Sequence, residues 1–181
     1  MRLLGNGSEF GLRHLNYTYQ QGEGGIAAAL SLAEHFAEGG KICVVLGDNL
    51  IEKNIRHAAD AYRRQKSGAK ILLKKVPDPQ RFGVPKLAGK RVVSVVEKPR
   101  RPPSPYAVIG IYFYDATVFD FIRGLEPSKR GELEITDVNN HYIDAGVMTY
   151  EILKGWWTDA GTFESLQHAS LLVARGGANK L

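Results

Sequence analysis

Two short segments, far apart in the chain, carry the residue types that could do chemistry. In Ile42-Cys43-Val44-Val45-Leu46-Gly47-Asp48-Asn49 an apolar, β-branched run stops abruptly at Gly-Asp-Asn. In Gly155-Trp156-Trp157-Thr158-Asp159-Ala160-Gly161-Thr162 a second acid lies between a tryptophan pair and a helix start. A continuous apolar run of this kind reads as a buried parallel strand. Ligands of open α/β sheets bind just past the carboxyl ends of such strands, which is where Asp48 falls. Two carboxylates from distant segments can hold a hard divalent cation against phosphate oxygens. The chemistry in view is metal-dependent phosphate transfer. The competing reading makes Asp48 a helix cap and Asp159 part of a turn, and the two segments by themselves support both equally.

The elements that must position these acids follow from periodicity. Apolar residues from Gly24 to Phe36 recur at helical spacing, and Gly39-Gly40 ends that helix. A strand over 42–47, a helix around Ile55 to Tyr62 and a strand over 69–76 come next. This alternation argues for an α/β unit with a mostly parallel sheet and helices on both faces. Val84 to Leu87 and Arg91 to Val96 flank Ala88-Gly89-Lys90 as a hairpin. Pro99 to Pro105 is an extended loop. A strand over 107–114, a helix from Ile135 closed by Gly146 and a strand over 147–153 complete the middle. Thr162 reads as the N-cap of a last helix. Residues 176–181 read as a frayed tail on a single domain spanning 1–181.

Bulk composition narrows the function classes. With 181 residues and 44% hydrophobic content the chain fits one globular domain. No apolar stretch approaches the roughly 20 residues needed to cross a bilayer, and the start lacks a signal-peptide apolar region. Cys43, the single cysteine, sits in the first strand and reads as a small core residue. That excludes a disulfide framework and fits a cytoplasmic setting. The net charge of +5 is concentrated between Ala61 and Arg101, where 13 Lys and Arg face two acids, Asp78 and Glu97. Such a segment favours polyanions, yet only Tyr62 and Phe82 interleave with it, so nucleic acid is a weak fit.

With Gly47-Asp48-Asn49 in place, a resemblance emerges that runs collinearly along essentially the whole chain. It includes Gln20 with Gly24-Gly25-Ile26-Ala27, Asp78-Pro79-Gln80-Arg81-Phe82-Gly83-Val84, and Val96-Glu97-Lys98-Pro99. It continues through Tyr106 to Asp115, Arg130-Gly131-Glu132-Leu133-Glu134-Ile135-Thr136-Asp137 and Trp157-Thr158-Asp159. The chain resembles the sugar-1-phosphate nucleotidyltransferases, closest to the glucose-1-phosphate thymidylyltransferases. Two departures stand out. The family's opening Gly-Gly-x-Gly-Thr-Arg loop and its lysine-bearing sequel are not found, which leads to the expectation of an amino-terminally truncated, Rossmann-like fold. Ala28 stands where the thymidylyltransferases usually carry glutamine.

The resemblance implies a division of roles. Asp48 and Asp159 would ligate Mg²⁺, which uses one or two carboxylates and keeps its other positions for water and phosphate. Gln20 and Gly25, with Asp48, would meet the nucleotide. Glu97 and Lys98 would hold the sugar and its 1-phosphate, with Gly83, Val108, Tyr112 and Trp157 lining the same pocket. Asp48, Asp159 and Lys98 form the implied catalytic set. Glu132, Glu134 and Asp137 belong to a structural helix start. The implied substrates are a pyrimidine nucleoside triphosphate, dTTP before UTP, and a sugar 1-phosphate, with no nucleic acid and no membrane, in a homo-oligomer. The alternative is a catalytically silent module that binds a sugar phosphate or a partner.

Overall fold

Strands form where β-branched and aromatic residues concentrate, and Tyr106–Tyr114 is the clearest case. The computed structural model describes residues 3–180. In chain order the elements are α1 (Gly25–Ser31), α2 (Glu34–Ala37), β1 (Ile42–Val45), β2 (Asn49–Ile51), α3 (Arg56–Arg64), β3 (Ala69–Lys75), β4 (Gly83–Ala88) and β5 (Arg91–Glu97). They continue with β6 (Tyr106–Tyr114), α4 (Val118–Arg123), α5 (Ile135–Asp144), β7 (Met148–Ile152), β8 (Trp157–Asp159) and α6 (Phe163–Gly176).

Among the described residues the main sheet has the order β1-β6-β3-β7. Strands β1, β3 and β7 run the same way, and β6 lies antiparallel between β1 and β3. The sheet is therefore mixed. The helix-linked strands follow the parallel rule, whereas β6 arrives from the β4–β5 hairpin without a helical crossover and is free to pair antiparallel. Side chains alternate across the sheet with period two. Ala69, Ile71 and Leu73 of β3 join Val108, Tyr112 and Tyr114 of β6 in a core covered by α1, α4 and α5. Leu72, Ile109, Ile111 and Phe113 face a second core with Ala58 and Tyr62 of α3. Helices thus cover both faces.

Three local expectations are corrected. The helix expected from Gly24 to Phe36 breaks into α1 and α2, because the Ser31 hydroxyl takes the Ala28 carbonyl at 2.7 Å and Leu32 N–H turns to Ala29 instead. Strand β1 is only half covered: Ile42 and Val44 pack inward, while Val45 is 54% exposed and Cys43 is exposed rather than core. Among the described residues β1 pairs with β6 alone and so lies at the sheet's edge, with the face that carries Cys43 and Val45 left largely uncovered. At the far end, Gly176 belongs to α6, and Asn179 and Lys180 do not fray. Their N–H groups donate to Ile51 and Glu52, and Asn54 N–H donates back to the Lys180 carbonyl. Leu181 lies outside the described residues. The Thr162 N-cap stands as a full capping box with Ser165. No described helix is long and apolar enough to cross a membrane.

Candidate active site

The two acids meet because their short strands pair. Between β1 and β2 the chain turns tightly, with Asn49 N–H donating to the Leu46 carbonyl at 3.1 Å, and Asp48 sits on that turn. Strand β2 pairs antiparallel with β8, setting Asn49 opposite Asp159, and Ala160 N–H donates to the Asp48 carbonyl at 2.8 Å. Gly161 closes the corner. A Cβ placed on it would lie 3.6 Å from Oδ2 of Asp48 and 3.6 Å from Oδ2 of Asp159, so the two oxygens are separated by no more than twice that distance. Arg81 approaches the same corner, with Nη2 3.9 Å from Asp159 Oδ2 and Nη1 2.9 Å from Asp78. Its guanidinium stands 5.3 Å from the centre of the Phe82 ring, whose edge meets Trp157.

The hairpin supplies the opposite wall. Gly83 at the start of β4 pairs with Glu97 at the end of β5, and Lys98 N–H donates to the Phe82 carbonyl at 3.0 Å. Thr136, buried in the first turn of α5, donates its hydroxyl to Glu97 Oε2 at 2.7 Å. A Cβ at Gly83 would lie 3.4 Å from that same carboxylate oxygen, so the main chain of β4 runs in close contact with the Glu97 side chain. Lys98 has φ +41°, with its half-exposed ammonium 4.0 Å from Glu97 Oε1. From β6, Val108 and Tyr112 form the floor. Burial first, and then the Glu97 and Asp48 carboxylates, push the Tyr112 phenol well above its ordinary pKa, so it stays a neutral donor.

Asp48, Asp159, Gly83, Glu97, Lys98, Val108, Tyr112 and Trp157 all line one cleft of about 690 Å³. Gln20 and Gly25 do not. They line an adjoining groove that shares Ile26, Leu46 and Glu132 with the cleft. Gln20 Nε2 donates to the Gly25 carbonyl at 3.2 Å, which leaves the amide oxygen and the second N–H of the amide open. Gly25 has φ +86°, and a Cβ there would sit 2.7 Å from the Leu133 carbonyl oxygen. The backbone of the segment before α5 therefore already demands a glycine at this position.

Four cleft residues were not singled out from sequence. Arg81 and Arg130 bring cations, Thr136 orients Glu97, and Asn49 joins Asp48 to the sheet. Arg130 is gripped by Glu132 and by Glu134, the latter at 3.1 Å from Nε, and Glu134 holds the N-cap position of α5. The signal for it was the cation followed by acids two and four residues on, which reads equally as a helix start.

Asp48 and Asp159 fit a magnesium ion by the chemistry of their donors. They are hard carboxylates, exposed and half-buried respectively, that face one corner and open onto a cleft with room for phosphates. Among the described residues no group of three or more His, Cys, Asp or Glu is placed to cage a metal. Two carboxylates completed by water and substrate oxygens is the arrangement Mg²⁺ adopts.

Comparison with known proteins identifies the family. The sequence matches the nucleotidyl transferase family over residues 1–176, and the chain belongs to that family. It is 41% identical over 180 residues to a glucose-1-phosphate thymidylyltransferase of Neisseria meningitidis, covering 95% of this chain and 61% of the relative. It is 43% identical over 171 residues to another from an Actinoplanes species, covering 93% and 56%. The chain thus spans about three-fifths of the length of these curated relatives. Among solved structures, a Bacillus anthracis protein assigned as a glucose-1-phosphate thymidylyltransferase, in complex with a sucrose, superposes with a TM-score of 0.89 at 50% identity, over 94% of this chain and 69% of that one. A UDP-glucose pyrophosphorylase with UDP-glucose shares the fold at a TM-score of 0.79 and 22% identity, over 88% and 66%.

Proposed function

We propose that this chain carries the sugar-phosphate and metal side of a nucleotidyl-transfer site. The reaction passes a nucleotidyl group from a pyrimidine nucleoside triphosphate to glucose 1-phosphate or a related sugar 1-phosphate, with dTTP preferred and UTP second. The observation that carries this reading is one cleft holding two acids that face Gly161 and a Glu97–Lys98 pair on the hairpin wall. Support also comes from the names of the relatives, which are thymidylyltransferases.

In this reading an oxygen of the sugar 1-phosphate attacks the α-phosphorus in line, the bond to the bridging oxygen breaks, and pyrophosphate leaves with that electron pair. No covalent enzyme intermediate is needed, so the protein's contribution is positioning and charge neutralisation. Lys98 holds the 1-phosphate as a point charge, while Arg130 stays engaged with Glu132 and Glu134 at the start of α5. Glu97, fixed by Thr136, accepts hydrogen bonds from sugar hydroxyls, and Gly83 lines the same pocket. Gln20 offers its free amide oxygen to the base edge. Magnesium bound by Asp48 and Asp159 would neutralise phosphate charge. A cytoplasmic setting, where such substrates are made, and self-association belong to the same proposal.

Titration calorimetry with glucose 1-phosphate, inorganic phosphate and free glucose tests the sugar side. The hexose phosphate should bind more tightly than either part. Equal affinity for phosphate alone would reduce the cleft to a general anion site.

A further inference from the structure

We propose that Asn49 is a positioning residue that sets which oxygen of Asp48 faces the cleft; this rests on the reading of Asp48 as a cation ligand. The side-chain amide of Asn49 lies at the junction of three elements. Its Oδ1 is 2.9 Å from Gly110 N in β6 and 2.7 Å from Trp157 Nε1 in β8. Its Nδ2 is 2.8 Å from Asp48 Oδ1. A backbone N–H and an indole N–H can only donate, so the amide oxygen must face those two groups. The amide cannot flip without setting donor against donor twice. Its NH₂ is therefore committed to Asp48.

The contact with β6 is close. A Cβ at Gly110 would stand 2.5 Å from Asn49 Nδ2 and 2.8 Å from Leu46, so this strand admits the amide only because residue 110 is glycine. The backbone of Asn49 is meanwhile paired with Asp159 across β2 and β8. One residue thus registers both acids, Asp159 through its main chain and Asp48 through its side chain. The result is that Asp48 Oδ1 is occupied, and Oδ2 is the oxygen turned toward Gly161 and Asp159. Groups that orient a ligating carboxylate typically account for 10–100-fold in metal affinity.

The test is a double-mutant cycle on the 181-residue chain, with Mn²⁺ affinity read by electron paramagnetic resonance and unfolding monitored without metal. Asn49→Leu should weaken Mn²⁺ binding by roughly tenfold. In an Asp48→Asn background the same substitution should change the remaining affinity by less than about twofold, since coupled residues are non-additive. An equal loss in both backgrounds, or none in either, overturns the positioning role. Should Asp48→Asn itself leave Mn²⁺ binding unchanged, or should the native chain bind none, the cation reading falls and this proposal with it. If Asn49→Leu does not fold, the unaltered residue carries the test by nuclear magnetic resonance. Asp48→Asn and Mg²⁺ must each shift the Asn49 side-chain amide protons, and amide signals that stay in place under both refute the proposal.

Discussion

Lys98 combines the charge proposed to hold a phosphate with a backbone conformation of its own. Its φ of +41° is one that side-chain-bearing residues rarely adopt, and it holds that angle while its N–H closes onto Phe82. Replacing it separates charge from strain. Lys98→Gly and Lys98→Ala both remove the ammonium and should each weaken glucose 1-phosphate binding by roughly 1.5–3 kcal/mol. In stability they should differ: glycine accepts this conformation and alanine does not, so Lys98→Gly should be the more stable by about 1 kcal/mol. Calorimetry and urea unfolding read the two effects, and an alanine variant as stable as the glycine one would show that no strain is stored here. The identity of the Glu97–Lys98 pair was legible because an ion pair at the end of an apolar strand is conspicuous. Its left-handed turn was not, because lysine gives no local hint of positive φ. The turn is imposed by the hairpin's closure onto Phe82.

At the scale of elements, Asp115 ties three of them together. Just after β6, its carboxylate accepts from Gly68 N–H before β3, from the N–H and hydroxyl of Thr117 at the start of α4, and from the Tyr142 hydroxyl of α5 at 2.9 Å. Burial alone would raise the Asp115 pKa, but the bonds from Thr117, Gly68 and Tyr142 outweigh it and hold the carboxyl below its ordinary value. A folded pKa below the unfolded one means that Asp115 stabilises the fold above pH 4 or so, and that this contribution fades as pH falls through the depressed value. Asp115→Ala should cost about 1.5–3 kcal/mol at pH 7, the range for hydrogen bonds to a charged group. The gap from the native chain should narrow toward pH 3 in urea unfolding series. A gap that stays constant would mean that the carboxylate's charge contributes nothing. The elements themselves were mostly legible, since α3, β3, the β4–β5 hairpin, β6, α5, β7 and α6 follow periodicity and caps. Strands β2 and β8 were not. Each is three residues long, too short for a pattern, and each exists because the other pairs with it. Those two strands bring Asp48 and Asp159 together, so the site's central geometry lay where sequence patterning is weakest.

For the whole molecule, the distribution of charge along the cleft decides what the chain can do. The cleft is lined by Arg81 near Asp159, by Lys98 beside Glu97 and by Arg130 paired with Glu132 and Glu134. The groove holding Gln20 and Gly25 is lined by Gly22, Glu23, Ile26, Ala29, Leu46 and Glu132, with neither Lys nor Arg among its described lining residues. A triphosphate in this groove would therefore meet no side-chain cation from its described lining residues. Stabilising the charge that develops on a phosphoryl group is commonly the largest catalytic term, and single donors are often worth 10²–10³ in rate. The 181-residue chain should therefore bind glucose 1-phosphate measurably but release no detectable pyrophosphate from dTTP or UTP at saturating Mg²⁺. Binding of dTTP should be weak and should depend on Mg²⁺ more steeply than binding of the sugar phosphate. A coupled pyrophosphate assay across both nucleotides decides the matter. Turnover at an ordinary enzymatic rate would mean that Arg81, Lys98 and Arg130 suffice for both phosphate groups, and would move the catalytic power onto this chain's own cleft.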